Sequence, residues 1–167
     1  MTTETVTLRE PAHLVSPQAI RYWALGGLVS GVVEWVVLFV AYSFLVPDSW
    51  QSWAGPLVAA LVVLRIVHLV VMPHWRYRVH RWEVTPTAIY TRSGWLSREQ
   101  RIAPLSRVQT VDSHRGAVMR IFGLSSITVT TASAAGPITI DCLDQDVAER
   151  VVAELTEITG RTHGDAT

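Results

Sequence analysis

The sequence predicts a membrane-embedded α-helical hairpin joined to an α+β domain that is mainly antiparallel β and ends in a C-terminal helix. Three observations predict it. Two apolar runs, 24–46 and 53–72, are separated only by the short segment 47–52. From residue 74 the pattern changes to short alternating runs divided by turn residues. Apolar residues then recur at helical spacing from Val147 to Ile158. The 167 residues, 49% of them hydrophobic, leave room for one hairpin and one small domain of about 90 residues.

At 1.5 Å per residue the first run reaches roughly 35 Å and the second about 30 Å, enough to cross a hydrocarbon core of about 30 Å. A cleaved signal peptide fits the first run poorly. The stretch before it carries Glu4 and Glu10, the run is longer than a signal core, and a second span follows at once. The linker permits only a tight turn, so the two helices are antiparallel neighbours. Arg9 and Arg21 precede the first span, and Arg76, Arg78 and Arg81 follow the second, whereas the turn holds only Asp48. The positive-inside rule therefore puts both termini in the cytoplasm. Trp23, Trp50, Trp53 and Trp75 stand at the four helix ends, as an interfacial aromatic belt requires.

Glu34, Arg65 and His68 are ionisable residues inside the spans, where charge is costly and normally has a partner. Counted from the domain-side end of each helix, Glu34 and Arg65 lie at matching depth, about 12–15 Å in. Three readings follow. The two residues contact each other within the hairpin; or Arg65 extends to the interface while Glu34 stays protonated; or both engage a second membrane protein.

In the domain, 79–84, 88–92 and 96–103 read as strands, separated by Thr85-Pro86-Thr87 and Ser93-Gly94 and stopped by Pro104. In the strand 107–112, Val108 and Thr110 oppose Arg107, Gln109 and Val111. Ile127, Val129 and Thr131 share one face of the next strand, and Ile138, Ile140 and Cys142 share one face of the last. Cys142 is the sole cysteine, which excludes an intrachain disulfide and a cysteine-based zinc site; its phase marks a buried core thiol. The final helix has Asp144 as N-cap and Gly160 as its stop. The expected organisation is a flexible tail 1–15, a hairpin 16–73, a domain 74–160 and a disordered tail 161–167.

This order of elements resembles the bacterial pleckstrin-homology-like (PH-like) membrane proteins of the YdbS-like group. The residues that carry the resemblance are Arg101-Ile102, Pro104-Leu105, the run Arg107-Val108-Gln109-Thr110-Val111, then Arg120-Ile121-Phe122-Gly123-Leu124, Ile127, Val129 and Thr131-Ala132. The resemblance spans about 17–160. It implies a PH-like fold, a multi-pass protein of the bacterial inner membrane, and binding of lipid headgroups or proteins rather than catalysis. Phosphoinositide recognition does not carry over, because the first hairpin turn, Thr85-Pro86-Thr87, is uncharged.

Charge within the domain is segregated. Residues 74–120 hold nine arginines against three acids, and 121–167 hold two against seven, although the whole chain is neutral. The basic half either lies against an anionic leaflet or reflects topology signalling and solvated strand faces. The candidate lipid or partner surface comprises Arg76, Arg78, Arg81, Arg115, Met119 and Arg120. The segment 115–122 either forms an exposed loop or folds inward around Gly123. No phosphate-binding glycine loop, H-E-x-x-H or nucleophile elbow is present, so neither an enzyme nor a cofactor or metal site is expected. Nucleic acid is not an expected partner, since no aromatics interleave the arginines in a readable module. The expected partners are the bilayer, a membrane protein or a second copy, and anionic headgroups. The expected function is a membrane-anchored interaction module, scaffolding or accessory to a membrane complex, with anionic-lipid binding or envelope-stress sensing as the alternative.

Overall fold

The computed structural model describes residues 10–45, 47–133 and 136–164. Two long helices form the hairpin, α1 (Gln18–Leu45) and α2 (Gln51–Val79), linked by a 3-10 turn at Asp48–Trp50. Both are long and apolar enough to cross a membrane. Their side chains are also exposed along most of their length, with Phe39 at 70% and Leu57 at 62%. A core helix of a soluble protein would bury such residues. Exposure of this extent suits helices solvated by lipid.

The domain contains two antiparallel sheets. One has the order β1 (His13–Leu14), β2 (Arg81–Val84), β3 (Ala88–Gly94), β4 (Arg98–Pro104). The other has the order β5 (Val108–His114), β6 (Leu124–Thr131), β7 (Ile138–Asp144). A short helix, α3 (Ala117–Ile121), links β5 to β6, and α4 (Gln145–Gly164) packs across β5, β6 and β7. The core forms where these layers meet. Ile89, Leu124, Ile127, Ile140, Leu143 and Leu155 are fully buried, each contributing about 1.5–3 kcal/mol relative to exposure.

Several sequence expectations are corrected. The expected tail is not free over its last part, because His13–Leu14 adds an edge strand to β2 and Pro11 and Val15 are buried. Residues 1–9 lie outside the described residues. Helix α2 does not stop at Pro73 but runs to Val79, because Tyr77 packs on the domain core and Val79 is itself buried. Arg76 and Arg78 therefore sit on the last turns of α2 and not in a segment that follows the helix. Helix α4 likewise passes Gly160 to Gly164; 165–167 lie outside the described residues. In β5 a bulge between Val108 and Thr110 resets the alternation, so that Val108 and Val111 both turn toward the core.

A second bulge, between Ser125 and Ile127, fixes the hairpin to the domain. Opposite it, Cys142 is buried with φ +54°, unusual for a residue with a side chain. Its N–H donates to Ser126 Oγ at 3.2 Å, and its carbonyl accepts the Ser16 N–H at 2.9 Å. Ser16 Oγ also donates to Asp144 at 2.6 Å and accepts the Gln18 N–H at 3.2 Å, so one hydroxyl caps α1 and holds it on β7. Ser16→Ala is expected to cost about 1–2 kcal/mol, read as a lower thermal midpoint of the detergent-solubilised chain. The comparison variant Ser43→Ala, which loses only an exposed bond to the Phe39 carbonyl, should leave the midpoint unchanged.

Candidate functional site

Polar side chains gather at three levels along the hairpin. The deepest centres on Arg65. Its Nη2 lies 3.5 Å from Glu34 Oε2, and donates to Ser30 Oγ at 3.1 Å and to the Gly27 carbonyl at 3.3 Å. Residues 27, 30, 31 and 34 form one face of α1 at helical spacing. Gly27 and Gly31 make room on that face. A Cβ on Gly31 would stand 3.2 Å from Arg65 Nε, and one on Gly27 would stand 3.0 Å from Leu69. This small-x-x-x-small spacing went unread in the sequence, although Gly27 and Gly31 displayed it. The cluster is only half enclosed: the Arg65 side chain is 27% exposed and that of Glu34 is 54% exposed. Beside it runs an apolar groove of about 490 Å³ lined by Val32, Trp35, Phe39, Val62 and Ile66 among others.

His68 does not join this cluster. Its ring meets Trp95 edge-on at 5.2 Å, and Trp75 Nε1–H donates to the Trp95 carbonyl at 3.0 Å. The β3–β4 turn is thus held alongside α2.

The third level is the junction with the domain. Trp23 is buried, not displayed at an interface: the Arg76 guanidinium stacks 4.5 Å from its ring centre, and His80 packs on it at 5.0 Å. His80 Nδ1 donates to the Arg76 carbonyl at 2.8 Å, while Nε2 is positioned to accept from Arg76 Nε at 3.4 Å. That geometry requires the neutral imidazole. Burial holds His80 below the usual histidine range, and the Arg76 charge adds to this, whereas the bond to the Arg76 carbonyl and the Asp141 charge oppose it.

The candidate surface residues are dispersed. Arg76 serves the junction. Arg78 and Arg120 are exposed. Arg115 Nε donates to the Leu124 carbonyl at 3.2 Å and braces α3. Met119 is corrected outright: it is buried in the core, because α3 turns it inward and leaves Val118 and Ile121 outside, Ile121 at 78% exposure. Arg81 lines a polar cavity of about 270 Å³ between the sheets, with Arg92, Arg101, Glu99 and Asp141, and its Nε is buried without a hydrogen-bond partner. Arg92 ion-pairs with Glu10, and holds that carboxyl below the usual range. Cys142 is inert, its thiol pushed up to about 12 by burial. Among the described residues no three His, Cys, Asp or Glu side chains gather as metal ligands do.

The bacterial PH domain family matches residues 26–159. The UPF0699 transmembrane protein YdbS of Bacillus subtilis (strain 168) is 27% identical over 161 residues, which span 93% of this chain and 98% of that protein. No solved structure matches.

The junction should respond to acid. The folded chain holds His80 below its unfolded value of about 6.5, so below that pH the unfolded chain takes up the extra proton. The stabilisation is whole above about pH 6.5 and is lost as the pH falls below it. Thermal midpoints of the solubilised chain should therefore drop between about pH 7.5 and about pH 5.5. His80→Asn, which keeps a donor and an acceptor but cannot titrate, should flatten that slope.

Proposed function

This chain belongs to the bacterial PH domain family and is a membrane protein, and from that premise we propose that it is a non-enzymatic interaction module, an accessory subunit that scaffolds a membrane protein complex. It spans the membrane twice, with both termini and the domain in the cytoplasm, consistent with Arg76, Arg78 and Arg81 on the domain side and Asp48 alone in the turn.

One observation carries this reading: Glu34 is 54% exposed on α1, beside the exposed aliphatic side chains of Val33, Val37 and Leu38. A charged residue at the bilayer centre costs about 2.5–3.5 kcal/mol on insertion scales. One arginine at 3.5 Å offsets part of that cost but does not shield the carboxylate from lipid. A second membrane segment packed over Glu34 would enclose the carboxylate and gain apolar contact with the exposed Val33, Val37 and Leu38 beside it. The Glu34–Arg65 face is thus an attachment surface already partly solvated by its own hairpin. Loss of Glu34 would leave Arg65 its bonds to Ser30 and Gly27, so the hairpin itself would persist.

A second reading, anionic-lipid binding, has its own support. Arg78, Arg98, Arg107 and Arg120 are exposed, and each basic residue near an anionic leaflet contributes about 1 kcal/mol.

The test is purification from native membranes in mild detergent, followed by native electrophoresis and mass spectrometry. A stoichiometric assembly, with another membrane protein or a second copy, is expected. Glu34→Gln and Arg65→Ala should abolish it while the thermal midpoint of the domain holds. A wild-type chain that runs alone, or an assembly indifferent to both substitutions, would overturn the reading and leave lipid binding in its place.

A further inference from the structure

We propose that the β3–β4 turn, residues 95–97, is an apolar wedge seated in the bilayer leaflet on the domain's side of the membrane, with phospholipid as its partner. Depth can be read along α2, because that helix is continuous from the span into the domain and ends at Val79. Strand β2 starts at Arg81 and runs away from the hairpin, and β3 returns antiparallel, with Arg92 opposite Arg81. Beyond Arg92 the chain overshoots the start of β2 and continues down the side of α2. Trp95 ends that descent against His68. His68 precedes the helix end by 11 residues, roughly 16 Å along the axis, and lies inside the apolar run that closes at Met72.

The composition of the turn fits that depth. Leu96 is 81% exposed and Trp95 is 38% exposed, at a level where the surrounding medium is headgroup and acyl chain, not water. Tryptophan belongs at that boundary, and Arg98, exposed just above, can meet phosphates. The Trp95 ring also packs on the His68 ring, which gives that histidine a partner in the span. The turn is preformed as well. Gly94 has φ +113°, and a Cβ there would lie 1.9 Å from the Ser97 carbonyl oxygen, so only glycine closes it. A tight turn pinned to α2 by the Trp75–Trp95 hydrogen bond keeps Leu96 outward at fixed depth.

The experiment is nitroxide depth measurement on the full chain in nanodiscs of mixed zwitterionic and anionic phospholipid. Native Cys142 is buried with its thiol raised to about 12, so an introduced cysteine labels alone. Labels are placed by Leu96→Cys and Ser97→Cys in the turn, Glu154→Cys on α4 and Val63→Cys in the span. Relaxation by a water-soluble nickel chelate should be lost at 96 and 63 and retained at 154, with oxygen showing the reverse order; 97 should be intermediate. If the chelate relaxes 96 and 97 as it does 154 while 63 stays protected, the wedge is wrong and the membrane span stands. If 63 is also relaxed, the membrane reading fails with it.

Discussion

The hydrogen bond from the Ser16 N–H to the Cys142 carbonyl joins the two halves of the molecule, and much of the architecture follows from it. A hairpin attached only through the end of α2 would be free to swing about one chain connection. The second attachment, at the start of α1, removes that freedom. It depends on a backbone shape that β7 takes only at its bulge, where left-handed Cys142 turns its carbonyl out of the ladder toward α1. That strain is sustained because both backbone groups of Cys142 are satisfied, by Ser126 and by Ser16. Between the two attachments, Trp23, Arg76 and His80 fill the junction with a stacked, neutral imidazole and a guanidinium.

Fixing the hairpin on the domain also sets what each presents to the membrane. The basic half of the domain does not form one arginine surface. Arg76, Arg92, Arg101 and Arg115 are engaged within the fold, by Trp23, Glu10, Glu99 and the Leu124 carbonyl respectively. The charge that remains exposed is scattered over Arg78, Arg98, Arg107 and Arg120. In the spans the reverse holds. Gly27 and Gly31 let Arg65 lie close on α1, yet two helices have too little surface to surround it, so Glu34 stays half uncovered. The exposed features that stand out are thus a carboxylate on α1 and an apolar turn held against α2, more than the arginines that dominate the sequence.

How much of this was legible differs by element. The two long helices were readable because each is written as a long, predominantly apolar run. The proximity of Glu34 and Arg65 follows from counting residues inward on two antiparallel helices. The strands of the domain were readable from alternation, except where bulges at Val108 and Ser125 moved residues to the other face. A bulge is an extra residue tolerated for tertiary reasons, and periodicity carries no sign of it. Met119 was misread for a related reason: a five-residue helix is too short to show a period, so its buried side could not be told from its exposed side.

By itself, then, the sequence determined the membrane hairpin, the succession of strands and closing helix, and the matching level of Glu34 and Arg65 on the two helices, because each rests on local chemistry repeated along the chain. Only the tertiary structure decided that Ser16 reaches Asp144 across 128 residues, that α2 continues through Pro73 into the domain, and that Trp95 descends to His68. Those outcomes depend on which surfaces meet once the two halves pack. No local pattern specifies a contact between segments so far apart, since the energy that selects it exists only when both are folded.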